Sequence, residues 1–164
     1  MTETSSMKAM TWRGGNNFTS DLLEIPQVID KTCLIEIDTA GICGTDIHIT
    51  QGLFPSPENV ILGHEFSGKV VEVGKGVDKN LLNQSVTAQP VGGCGLCESC
   101  KKWSLSHCEV NERRAGAFSQ YVLVDEKGIS VIPDNLTIQN AALTEPAACS
   151  LSCVEMLKNR GPLT

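Results

Sequence analysis

The sequence is poor in aromatic residues, has an acidic balance, and contains no long apolar run. Phe, Trp and Tyr make up 4% of its 164 residues, too few for the stacked rings that hold single-stranded nucleic acid. Lys and Arg number 13 against 19 Asp and Glu, a formal charge of −6, which argues against tracking a phosphate backbone. No stretch reaches the roughly 18 apolar residues of a membrane-spanning helix. Met1–Met10 holds no apolar core of a secretion signal, so a cytoplasmic location is the expectation. No G-x-G-x-x-G follows a strand, so the phosphate-binding turn of a dinucleotide fold is missing. The remaining composition, 41% hydrophobic and 20% charged, is that of an ordinary soluble globular protein. The length suits one well-cored domain rather than two.

Between Gly and Pro breaks run short strand-like segments: Met7–Trp12, Cys33–Thr39, Phe66–Val73, Ser85–Pro90, Phe118–Val124 and Ile129–Ile132. Val70, Val71 and Val73 supply the β-branched bulk that fits a pleated surface. In Cys33–Thr39 the apolar Cys33, Ile35 and Ile37 alternate with Glu36 and Asp38, the period of a half-buried strand. Many short strands with turn signals predict a mainly β fold, a barrel or a sandwich, with few helices. Only the C-terminal quarter reads as helix. Pro146 suits a first turn, Ala147, Ala148, Leu151, Val154 and Leu157 recur at helical spacing, and Gly161-Pro162 ends the run. Met1–Ser6 reads as a leader before the first strand.

Eight cysteines in a chain without a secretion signal require a reason. In a reducing compartment, clustered cysteines are metal ligands or catalytic groups more often than disulfides. Cys94, Cys97, Cys100 and Cys108 are spaced C-x2-C-x2-C-x7-C among Gly92, Gly93 and Gly95. Four thiolates on one glycine-rich loop can close a tetrahedral zinc shell, and a closed shell leaves no position for substrate, so this zinc is structural. An iron–sulfur cluster fits less well: the bacterial ferredoxin run is C-x2-C-x2-C-x3-C-P, whereas here the fourth cysteine comes later and precedes Glu109. Unligated thiols are the other alternative, and His107 is a spare ligand or an exposed histidine. Cys33, Cys149 and Cys153 lack ligand spacing and are expected to be buried as small apolar residues.

A second cluster, Gly41-Ile42-Cys43-Gly44-Thr45-Asp46-Ile47-His48, packs a thiol, a hydroxyl, a carboxylate and an imidazole into six positions. Gly63-His64-Glu65 follows, just before the strand Phe66–Val73. Cysteine, histidine and a carboxylate are the ligand types of a catalytic zinc that keeps one position open. Taken singly, Cys43 and His64 are equally compatible with a buried core. Their occurrence beside a four-cysteine lobe favours the metal.

These motifs, followed by Gly116-Ala117-Phe118-Ser119-Gln120-Tyr121, Ile132-Pro133-Asp134-Asn135 and Thr144-Glu145-Pro146-Ala147-Ala148-Cys149, resemble those of the medium-chain zinc-dependent alcohol and polyol dehydrogenases. The likeness is greatest to the branch of sorbitol, threonine and butanediol dehydrogenases, and it runs from about Met7 to Leu157. It implies a GroES-like β-barrel and a C-terminal helix leading to a Rossmann domain. It implies two zincs per chain: a catalytic one on Cys43 and His64 with Glu65 or Glu145, and a structural one on Cys94, Cys97, Cys100 and Cys108. Thr45 would hydrogen-bond the substrate hydroxyl, His48 would pass its proton to solvent, and Asp46 would orient His64 from behind. Glu65 also fits a brace outside the metal, and Glu145 a carboxylate favouring a helix start.

The resemblance further implies a division into a zinc-binding catalytic domain over residues 1–157, with its lobe at 92–108, and the start of a linker over 158–164. The cofactor domain that would follow is expected to lie outside these 164 residues, so no residue here is assigned to NAD or NADP. In complete form the expected activity is hydride transfer between a secondary alcohol or polyol and NAD(P), with this chain alone inactive. The expected partners are that small-molecule substrate and the missing Rossmann domain, with no nucleic acid and no membrane; a homo-oligomer is compatible. The alternative is a stand-alone, non-catalytic zinc-binding or interaction module. Two departures from the family stand out: a short loop between Cys108 and Gly116, and Asn83-Gln84-Ser85-Val86 where a Gly-Asp-Arg-Val-like turn is common.

Overall fold

The computed structural model describes residues 6–89, 97–102 and 116–159. Strand β1 (Ser6–Trp12) turns Met7, Ala9 and Thr11 inward by the two-residue period of a strand, and all three are buried. It pairs antiparallel with β2 (Phe18–Glu24), from Ser6↔Glu24 to Trp12↔Phe18. After β3 (Thr32–Gly41) and helix α1 (Gly44–Thr50), the two-residue strand β4 (Val60–Ile61) takes the other edge of β1. The result is a three-stranded sheet, β2-β1-β4.

A second, five-stranded sheet contains β5 (Glu65–Val73), β6 (Ser85–Ala88), β7 (Tyr121–Asp125) and β8 (Ile129–Val131) in the order β7-β3-β5-β6-β8, antiparallel throughout. Its inward residues form the main core: Cys33 and Ile35 from β3, Phe66 and Val70 from β5, Val86 and Ala88 from β6, Val122 and Val124 from β7. Alternation explains why these residues face one way. A smaller cluster of Trp12, Ile49 and Leu62 sits under α1.

The segment 117–120 joins the two sheets. The Met10 N–H donates to the Phe118 carbonyl at 2.7 Å and the Gln120 N–H to the Lys8 carbonyl at 3.0 Å, while the Ile37 N–H donates to the Gln120 carbonyl at 2.9 Å. One stretch of backbone therefore serves β1 and β3 together and closes the sheets into a barrel. This is why the strand expected over Phe118–Val124 begins only at Tyr121.

Besides two 3-10 turns at Lys79–Leu81 and Glu126–Gly128, three further α-helices are α2 (Glu98–Lys102), α3 (Ile138–Ala141) and the longer α4 (Thr144–Asn159). The Ser67 hydroxyl donates to the Ile138 carbonyl at 2.5 Å and ties α3 to β5. No helix among the described residues is long and apolar enough to cross a membrane.

Two expectations are corrected. Helix α1 forms where the sequence shows only a run of ligand types, and the reason is its cap, described below. On α4, Cys149 and Cys153 are exposed, as is every side chain from Ala147 to Lys158. Its apolar residues recur at helical spacing as expected, but no described element packs against them, so spacing alone does not bury these thiols. Cys33 is fully buried. Burial, with the Glu126 carboxylate adding to it, pushes its thiol up to about 11. Iodoacetamide at about pH 8, near the ordinary thiol range, is therefore expected to alkylate Cys153 and, more slowly, Cys149, whose thiol is raised by its bond to Glu145. Cys33 should stay unmodified until denaturant is added. Peptide mass spectrometry checks this, and native labelling of Cys33 at the Cys153 rate would contradict it.

Candidate metal centre

Strand β3 ends at Gly41 and β5 begins at Glu65, and their antiparallel register sets these two residues opposite each other. The chain leaving β3 thus turns over the same end of the sheet at which His64 and Glu65 enter β5. Cys43 lies in that turn as the N-cap of α1, with extended φ −80° and ψ 154°. Its sulfur accepts the Thr45 N–H at 3.5 Å, while Asp46 Oδ2 accepts the Cys43 N–H at 3.0 Å. This is a reciprocal capping box in which a thiol stands where a hydroxyl is usual. It gives the turn a fixed shape and aims the sulfur across the sheet end.

Asp46 holds this corner together. It is 4% exposed. Its other oxygen, Oδ1, accepts the Gly63 N–H at 3.2 Å and lies 3.6 Å from His64 Nδ1, an ion-pair distance. One carboxylate therefore fixes the Cys43 turn, the Gly63 backbone and one side of the imidazole, leaving the other ring nitrogen for a ligand. Burial raises the Asp46 pKa, but the neighbouring His64 and the two N–H donors outweigh it and hold the carboxyl below its ordinary value. In turn the Asp46 carboxylate, against the opposing effect of burial and with help from Cys43, raises His64 to about 9. Gly63 has φ +91°, and a Cβ there would meet the Phe118 ring at 2.7 Å, so the position requires glycine twice over.

One ligand atom from each of Cys43, His64 and Glu65 lies within 4.8 Å of the others. Glu65 is 8% exposed, and no hydrogen-bond donor or cation among the described residues reaches its carboxylate. The carboxylate thus stands beside a thiol and an imidazole with no protein group among the described residues to answer it, and this sulfur, nitrogen and oxygen set is one that zinc accepts. The residues present fit the metal.

The other expected site residues stand as follows. Thr45 is half-buried, its Oγ1 accepting the Cys43 S–H at 3.7 Å. His48 is exposed one turn along α1. Glu145, half-buried at the start of α4, lies outside the three-residue cluster and accepts the Cys149 S–H at 3.3 Å. In the lobe, Cys97 and Cys100 are half-buried, and the Cys100 N–H donates to the Cys97 sulfur at 3.4 Å. Cys94, Cys108 and His107 lie outside the described residues. Sequence reasoning missed the thiol-capped helix and the Gly63 bond to Asp46. The signal for the first was Asp46, three residues after Cys43.

Replacing Asp46 by Ala leaves the half-buried Cys43 N–H and the buried Gly63 N–H without acceptors. At about 1–3 kcal/mol for each unsatisfied donor, the expected loss is about 2–6 kcal/mol in urea unfolding. Asp46→Asn keeps an acceptor oxygen and should lose less. Equal losses for the two variants would contradict this role.

Residues 30–134 match the family described as the alcohol dehydrogenase GroES-like domain. D-arabitol-phosphate dehydrogenase of Enterococcus avium is 37% identical over 147 residues, covering 86% of this chain and 41% of that protein. Sorbitol dehydrogenase of Bacillus subtilis is 31% identical over 162 residues, covering 93% and 46%. The structure of acetophenone reductase from Geotrichum candidum in complex with NAD superimposes with a TM-score of 0.77 at 29% identity, covering 85% of this chain and 43% of that one. The chain thus spans less than half the length of these relatives. With its antiparallel barrel and this match over most of its length, the chain belongs to the zinc-dependent medium-chain alcohol dehydrogenase family, in the part formed by the GroES-like domain.

Proposed function

We propose that this chain is the catalytic domain of a zinc-dependent oxidoreductase that, joined to a cofactor domain, transfers hydride between a secondary alcohol or polyol and NAD(P). The observation that carries this reading is the convergence of Cys43, His64 and Glu65, whose ligand atoms all lie within 4.8 Å of one another. Cys43, His64 and Glu65 would hold the catalytic zinc, with Glu145 the alternative carboxylate. Cys94, Cys97, Cys100 and Cys108 would hold the structural zinc. When bound, the catalytic metal supplies Lewis-acid polarisation of a substrate oxygen.

The chain's own residues supply the rest. Thr45, whose hydroxyl already lies beside the Cys43 sulfur, holds the substrate hydroxyl by a hydrogen bond. His48 sits three residues further along α1, on the same side of the helix. Its exposure lets it exchange with water the proton that leaves the substrate. Asp46 keeps the imidazole of His64 in one orientation. The hydride acceptor is the nicotinamide, positioned by the cofactor domain rather than by any residue here. NAD is the cofactor in the acetophenone reductase structure, and sorbitol is the substrate named for one relative. Both support the proposed class. A Rossmann domain docked on this one would also cover the apolar residues of α4 that stand exposed.

Two measurements test the reading. Metal analysis of the purified chain is expected to give about two zincs, and Cys43→Ala about one. Joined to the cofactor domain of a relative, the chain should oxidise a secondary alcohol or polyol with NAD(P). Thr45→Ala and His48→Gln should each lower kcat/KM by about 100-fold or more. A zinc-loaded, folded fusion with no hydride transfer to either cofactor would favour the stand-alone zinc module instead.

A further inference from the structure

Gly41 is the last residue of β3 and the cross-strand partner of Glu65. Its backbone does not call for glycine, because it is not among the positive-φ glycines, which include Gly14, Gly15, Gly52, Gly63 and Gly76. Space calls for it. A Cβ built on Gly41 would lie 2.5 Å from Glu65 Oε2 and 3.2 Å from Glu65 Cβ. No real Cβ comes that close to a carboxylate oxygen, so any side chain at this position must move the Glu65 carboxyl group. Glu65 as a residue is 8% exposed, and its carboxyl group has no hydrogen bond among the described residues. The group lies in the hollow over the Gly41 Cα. Two residues further along the same chain stands Cys43, so the hollow and the ligand cluster share one turn of backbone.

We propose that Gly41 is a positioning residue for the metal centre: its missing side chain is the space in which the Glu65 carboxylate lies within reach of Cys43 and His64, and the size of the residue there decides whether Glu65 joins the ligand set. This rests on the reading of Cys43, His64 and Glu65 as a metal site. It differs from the role of Asp46, which orients the imidazole and the thiol but does not touch Glu65. Since the backbone at Gly41 also allows alanine, the effect of Gly41→Ala should pass through Glu65 alone.

The test uses the full chain loaded with Co2+, whose absorption reports ligand type, together with zinc release to a chromogenic chelator. Glu65→Ala, Gly41→Ala and the double variant are compared with the parent; the cysteine lobe contributes equally to all four and cancels in difference spectra. Gly41→Ala is expected to keep the sulfur-to-metal charge-transfer band of Cys43, to shift the ligand-field bands as Glu65→Ala does, and to weaken zinc binding about 10–100-fold, as loss of a supporting contact does. The double variant should bind no more weakly than Glu65→Ala, because the two changes remove one interaction. If Gly41→Ala alone fails to fold, the double variant should fold, since the atoms that the added methyl group would meet are mostly gone. Additive losses, a Gly41→Ala spectrum like the parent's, or a double variant that also fails to fold would each overturn the proposal. A parent that takes up no Co2+ outside the lobe, or a Glu65→Ala variant with unchanged spectrum and affinity, would overturn the ligand reading itself.

Discussion

The register of β3 against β5 is the constraint on which the rest depends. It runs from Cys33↔Val73 to Gly41↔Glu65, with shifts between Leu34 and Ile35 and between Ile37 and Thr39. The second of these irregularities lies toward the end of β3 that leads into the cluster, a place where bulges are common beside functional sites. The same pairing places Ile35 and Val70 in the core and brings the exit of one strand beside the entry of the other. A slip of one residue would turn the inward set outward, and it would also move Glu65 off Gly41. Core packing and cluster geometry are therefore two results of one alignment.

Within that alignment the centre is organised by a few short polar contacts rather than by apolar packing. Asp46 serves as helix cap, backbone acceptor and counter-charge at once. Only a buried carboxylate with all its contacts fixed could do this. Glu65 has no such contacts among the described residues and lies against Gly41. The two acidic residues thus differ in kind: Asp46 is satisfied by hydrogen bonds within the protein, whereas the Glu65 carboxylate accepts none among the described residues.

Much of the sheet was legible because β1, β7 and the second half of β3 alternate more buried with more exposed residues against a real core, and β5 carries a β-branched run. Strand β2 was not, since it is an edge strand with Phe18, Ser20, Leu22 and Glu24 all exposed, and its pattern records no inside. Helix α1 was missed because capping is ordinarily sought in hydroxyls and carboxamides, and here the cap is a thiol. Residue types and order marked Cys43, His64 and Glu65 as candidates. Which of Glu65 and Glu145 lies beside Cys43 and His64 was not legible, because that depends on the strand register, which sets Glu65 there. The expectation for Cys149 and Cys153 went wrong for a related reason: helical spacing shows which residues share a face, not whether anything lies against it.

Barrel closure and the metal centre also differ in how far along the chain they reach. Closure depends on contacts such as the Lys8 N–H with the Gln120 side chain, 112 residues apart. The cluster draws on β3, β5 and the connection between them, a span of the chain from Thr32 to Val73. Contacts close in sequence cost less loop entropy and form sooner than distant ones. A nascent chain would therefore own its thiol, imidazole and carboxylate as a neighbouring set well before residues 117–120 arrive to join the sheets. An ion captured at that stage would act on the order of folding as well as on the finished protein, clamping the turn after β3 to the start of β5 before residues 117–120 bridge the two sheets.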